Sequence, residues 1–287
     1  MGMSRWDDSA WACRSTATAK LSRDQIFRQQ GMHADLDPSK VKVREARDSE
    51  ANPNATPIIL ACDETGSMGA LAEIIIKTGL GTIMKSIYEH KPVSDPQILC
   101  MGVGDAFSDR APLQVTQFES EVAPMLDQIE KIWLEGNGGS NRGESYSLAW
   151  LFAGYKVASD AWIKRRKKGY LFTIGDECPH PHLTRDQVMK SFGVGVEADI
   201  PTELLLQETQ QFWNVFHLVV QPVPYQPVLQ TWGKLLGNNA IVVEDTTKIA
   251  EVITAVIRLT EGQSHVDAGL DPGTALVVRN ATKSLVR

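Results

Sequence analysis

Pro57-Ile58-Ile59-Leu60-Ala61-Cys62-Asp63-Glu64-Thr65-Gly66-Ser67-Met68-Gly69 carries an apolar run directly into an Asp-x-Thr-x-Ser loop. Alternate residues of an extended or tightly turning segment project to one side, so Asp63, Thr65 and Ser67 converge while Glu64 and Gly66 face away. One carboxylate and two hydroxyls sharing a point are hard oxygen donors. They suit magnesium, manganese or calcium and are a poor choice for zinc or copper. The competing reading is structural, since Asp, Thr and Ser between a strand and a helix are ordinary capping residues.

Two further segments weigh against capping alone. Gly138-Gly139-Ser140-Asn141 opens a helical stretch, and Leu171-Phe172-Thr173-Ile174-Gly175-Asp176-Glu177 is an apolar strand ending in a carboxylate. Together the three loops resemble, in their order, the metal-ion-dependent adhesion site (MIDAS) of von Willebrand factor A domains, of the bacterial and phage intracellular type. The resemblance covers roughly residues 57–262. It implies a three-layer, Rossmann-like α/β fold with a mainly parallel sheet and one antiparallel edge strand, and a metal held by Asp63, Thr65, Ser67, Ser140 and Asp176. The second loop departs from the family pattern, which has Thr after the paired glycines where Ser140 stands. Asn141 is therefore a rival ligand and Glu144 an outer-shell anion. The resemblance also implies a magnesium ion with one position open to a partner's Asp or Glu.

Outward from these loops, apolar and amphipathic segments alternate as in a three-layer α/β fold. A stripe from Ala72 to Ile87 predicts a helix reaching about His90. Gln97–Gly104 and Leu113–Phe118 read as strands, Val122–Leu134 and Glu144–Val157 as helices, and Val215–Val220 and Ala240–Val243 as further strands. Helices are expected at Arg185–Ser191, Pro201–Phe212, Val228–Leu236 and Thr246–Leu259, with Asp245 as an N-cap and Gly262 as a stop. Residues 1–56 form a polar extension in which Trp6 and Trp11 suggest packing near the start. Residues 263–287 read as a tail, with Ala275-Leu276-Val277-Val278 as a strand added to an edge.

The chain has 287 residues, 43% hydrophobic, and a formal net charge of -6. Such a length permits a sizeable core. The acidic balance argues against general nucleic-acid binding. No apolar run is long enough to span a bilayer, and the start lacks a signal peptide's apolar core, so cytoplasmic residence is the expectation. Four cysteines make no disulfide framework at this length.

Cys178-Pro179-His180-Pro181-His182 offers soft ligands without an evident fourth, and a polar loop beside the main site is the favoured reading. The basic run Lys164-Arg165-Arg166-Lys167-Lys168 reads as cations favouring a helix C-terminus. Asp105 and Asp109 follow a strand end and either line the site or shape a turn.

The function expected is therefore non-enzymatic: a metal-dependent protein-binding module, an adaptor or substrate selector. Proteins of the resembled kind are often associated with AAA+ ATPases of the MoxR type, which makes such an ATPase a candidate partner. Two alternatives stand beside it. The Asp-x-Thr loop also resembles the haloacid-dehalogenase phosphatases, but these place a second Asp as general acid where Thr65 stands, and a hydroxyl cannot exchange protons near neutral pH as a carboxyl does. A structural subunit whose metal site has been lost is the other.

Overall fold

A computed structural model describes residues 7–18, 21–65, 80–135, 143–220, 226–264 and 270–285. Ser67, Ser140 and Asn141, and the first half of the helix expected after Gly69, lie outside the described residues.

The strands in chain order are β1 (Arg44–Ala46), β2 (Thr56–Asp63), β3 (Pro96–Val103), β4 (Leu113–Val115), β5 (Val157–Ser159), β6 (Gly169–Gly175), β7 (His182–Leu183), β8 (Ile200–Pro201), β9 (Trp213–Val219) and β10 (Ala240–Val242). Six of them form the central sheet in the order β10-β9-β6-β2-β3-β4. All its pairings are parallel except β3 with β4. This is the mainly parallel sheet with one antiparallel edge that the sequence leads one to expect.

β2 and β3 are buried along their whole length, as strands covered on both faces must be, which explains their near-continuous apolar character. Their side chains still alternate. Ile58, Leu60 and Cys62 join one core cluster, whereas Ile59 and Ala61 join the other. On the first face lie the helices α1 (Leu80–His90), α2 (Val122–Ile129), α3 (Ile249–Thr260) and α4 (Pro272–Thr282). The second face carries α5 (Tyr146–Tyr155), α6 (Arg185–Phe192), α7 (Thr202–Thr209) and α8 (Gln226–Leu236). No helix among the described residues is long and apolar enough to cross a membrane.

Several elements differ from expectation for identifiable reasons. α2 stops at Ile129, and downstream the Trp133 amide donates to Gln114 Oε1 at 2.9 Å, drawing the chain toward β4. α5 starts at Tyr146, because the Glu144 amide is already bonded to the Cys178 carbonyl at 2.8 Å. Residues 275–278 are helical and add no strand: Asp271 caps α4 by accepting from the amides of Gly273 and Thr274, Pro272 opens the first turn, and Val278 is fully buried. Val41-Lys42-Val43-Arg44 alternates like a strand in sequence, but only Arg44 of it enters β1, which pairs with β5.

The extension includes a helix over Asp8–Thr18, whose Trp11 packs on the first core cluster together with Ile26, Phe27 and Leu36. Asp245 accepts from the Thr247 amide, and Gly262 adopts a φ of 77° beyond α3.

Candidate functional site

β2 lies between β3 and β6, and the chain adds strands to one side of it before crossing to the other. Ligands of open α/β sheets bind beyond the carboxyl ends of the strands at this reversal. Asp63 ends β2, and Asp176 follows β6, whose Ile174 is in register with Cys62. The two carboxylates, 113 positions apart in sequence, thus stand at adjacent strand ends.

Asp63 is fully buried. Its Oδ1 accepts from the Thr65 amide at 2.8 Å and the Thr65 hydroxyl at 2.6 Å, and its Oδ2 accepts from the Tyr146 hydroxyl at 2.8 Å. Burial nevertheless pushes the carboxyl up to about 7, with the charge of Asp176 adding to the rise against those hydrogen bonds. Glu144, 3% exposed, adjoins this pair and engages the Thr65 side chain. Burial first, then the charges of Asp63 and Asp105, push it up to about 10. Its Oε2 is inaccessible to solvent and has no hydrogen-bond partner among the described residues.

A buried carboxylate oxygen without a donor is costly. The Thr65 side chain bonds to Glu144 and the charges of Asp63 and Asp105 act on it, while Asp176 acts on Asp63. This donor set fits a hard divalent cation. Asp63, Thr65 and Asp176 would hold it, with Glu144 alongside. Among the described residues no three His, Cys, Asp or Glu side chains form a metal-holding group by themselves, so an ion here draws on hydroxyl oxygens as well. Where Ser67, Ser140 and Asn141 stand relative to it lies outside the described residues.

The flanking acids divide into two kinds. Asp105 accepts from His180 Nε2 at 2.9 Å and from the Phe107 amide at 3.1 Å, and Asp109 turns the loop by accepting the Asp105 amide at 2.7 Å. Glu64 points to the other face of the sheet, where it is buried against Gly102 and accepts from Gln114 Nε2 at 2.8 Å. Burial raises its carboxyl well above the usual range.

In the Cys178 loop His180 bonds to Asp105 at 2.9 Å, and the Cys178 thiol lies 3.9 Å from the Pro227 carbonyl.

Sequence reasoning missed the aromatic support beneath Asp63. The Tyr146 ring meets His217 and Trp232 edge-on, with centroids at 5.1 and 5.5 Å, and His217 stacks on Trp232 at 3.5 Å. Trp232 Nε1 donates to the Glu177 carbonyl at 3.0 Å, so one indole braces both the Asp63 and the Asp176 loops. His217 Nδ1 and the Thr173 hydroxyl are hydrogen-bonded at 2.8 Å, and burial pushes the imidazole pKa well below its usual value. Tyr146 crosses Gly175 so closely that a Cβ there would collide with its hydroxyl. The available signal was a polar or aromatic residue at an inward position, Tyr146 and His217, in otherwise apolar segments.

Strand order, the antiparallel edge and the placement of Asp63 and Asp176 at the reversal define a von Willebrand factor A-type fold. No protein-family model matches the sequence, and no curated protein does. Solved structures do match. The pilus adhesin SpaC from Lactobacillus rhamnosus GG, in its open conformation, aligns with a TM-score of 0.50 at 12% identity, over 74% of this chain and 31% of the adhesin. A von Willebrand factor type A protein from Catenulispora acidiphila aligns at 12% identity and TM-score 0.43, over 73% of this chain and 43% of that one. Proximal thread matrix protein 1 from the mussel byssus, in a form with a zinc-occupied MIDAS motif, gives 12% and 0.45 over 72% and 46%. The matched region is about a third of the adhesin's length, and what the two share is the fold.

Proposed function

We propose that the chain is a non-enzymatic protein-binding module that works through a divalent cation, magnesium or else manganese or calcium, at the carboxyl ends of β2 and β6. The observation that carries this reading is the convergence of Asp63, Thr65, Glu144 and Asp176 at the chain reversal, with a buried carboxylate oxygen that has no donor among the described residues. When bound, such an ion is a Lewis acid that takes a carboxylate oxygen from outside. Thr65 and Tyr146 orient Asp63, and Trp232 fixes the loop that bears Asp176. Ser67, Ser140 or Asn141, and Asp176 complete the proposed ligand set.

The occupant proposed is an acidic side chain of a protein partner, with the chain itself as adaptor or substrate selector and a MoxR-type AAA+ ATPase as the candidate partner. Residues 57–262 would be the module, flanked by 1–56 and 263–287. Four cysteines, all free, support a reducing cytoplasmic setting. Against a phosphatase, the hydroxyl in the general-acid position is already donated to Asp63.

The experiment is a pull-down from the native host with and without chelator, repeated with Asp176→Ala. Partners lost in both cases support the module. Partners retained equally by chelated wild type and Asp176→Ala would reject the metal-dependent mechanism.

A further inference from the structure

A second site stands away from the sheet's carboxyl end, where residues 34–44 meet α2 and the edge strand β4. A recess of about 430 Å³ opens there, lined by Asp35, Lys40, Arg44, Gln117, Gln128 and Lys131 among others. Arg44 is only 7% exposed. Its Nη2 donates to the carbonyls of Asp35 at 2.8 Å and Val115 at 3.2 Å, while its Nε is buried and has no partner among the described residues.

No carboxylate among the described residues lies within ion-pair distance of this guanidinium. The two nearby acids are spent on other cations, Asp35 on Lys131 at 2.9 Å and Asp37 on Lys40 at 3.4 Å. Asp35 therefore acts on Arg44 through space and makes its direct ion pair with Lys131. Arg44 is the buried cation here and has no direct ion pair among the described residues, and a buried cation so placed is costly. The Lys40 and Lys131 side chains are 63% and 36% exposed and free to reorient.

We propose that this recess binds a small tetrahedral oxyanion, free phosphate or sulfate. A guanidinium fork takes two oxygens of such an ion, and ammonium groups serve the others as point charges. Bound there, the anion neutralises Arg44 and ties residues 34–44 to the body of the domain. The inference is independent of the metal reading above.

The test is thermal unfolding and calorimetric titration of the full chain in chelator, comparing potassium phosphate and sulfate with potassium chloride at matched ionic strength. The expected result is a saturable rise in Tm with phosphate or sulfate, with added protection of amides 34–44 from hydrogen exchange. A Lys40→Ala/Lys131→Ala variant, altered only at exposed side chains, should keep its fold by circular dichroism and bind at least tenfold more weakly. Arg44→Lys, which keeps the charge and loses the fork, should weaken binding too. Equal stabilisation by chloride, or an undiminished phosphate shift in the double variant, would overturn the site. So would binding to vesicles bearing phosphatidic acid in the absence of any response to free phosphate.

Discussion

At the amino end of the central sheet, Asp48 accepts from Arg165 Nη1 at 2.7 Å and Nη2 at 3.1 Å, Asp160 pairs with Lys164 at 2.8 Å and Arg47 at 2.9 Å, and Lys167 reaches Glu261 at 2.9 Å. At the carboxyl end, Asp63, Glu144, Asp105 and Asp176 gather with His180 as the basic side chain in contact. The first arrangement lowers the pKa values of Asp48 and Asp160, and the second raises those of Asp63 and Glu144. Opposite shifts in one chain separate two uses of charge. Ions matched within the chain serve its own stability, whereas acids buried close together, so that burial and their mutual charge raise their pKa values, form the arrangement proposed above to take a cation from outside. The basic run, which invites thoughts of nucleic acid, belongs to the first kind.

The comparison can be broken most sharply at the support beneath the acids. Trp232→Ala removes a fully buried indole and should cost about 3–5 kcal/mol, measured by denaturant unfolding; a loss near that of an exposed site would show that the two loops are braced otherwise. Next comes the ion. Magnesium at a hundredfold excess over Kd should stabilise the wild type by about 2.7 kcal/mol, and Asp63→Ala should abolish that shift. Arg165→Ala should leave it unchanged. A metal response altered equally by both would erase the distinction between the ends.

His217 supplies the pH dependence. Its folded pKa is depressed by burial, so below the unfolded value of about 6.5 the unfolded chain takes up a proton that the folded ring refuses. Stability should therefore be full above that pH and fall as pH drops, by up to about 1.4 kcal/mol per unit. His217→Gln should flatten the slope between pH 6.5 and 5; an unchanged slope would assign it to other groups. The smallest effect is expected at the amino end, where Arg165→Ala should cost about 1 kcal/mol or less, as partly exposed pairs do.

How much of this was legible beforehand depends on the range of the interactions. β2, β3, β6 and β9 declare themselves because strands covered on both faces must be apolar throughout, and Asp63 and Asp176 are conspicuous as the carboxylates that end two such runs. Local pattern reaches no further than that. Ala275-Leu276-Val277-Val278 suits strand or helix equally, and the Asp271 cap and Pro272 decide for helix. Alternation turns Glu64 away from the site, but only tertiary structure supplies Gln114 as its partner. Tyr146, His217 and Trp232 come from three elements far apart in sequence, so their meeting is a property of topology that no periodicity records.

The outer strands of the sheet, β4 and β10, are each three residues long. A sheet's rim is a template on which another extended chain can add, and brevity blunts it. At β4 the guard is doubled, because Arg44 spends one of its donors on the Val115 carbonyl. Loss of that arginine would thus do more than empty a recess: it would bare a hydrogen-bond acceptor on the rim and raise the tendency of partly unfolded copies to polymerise.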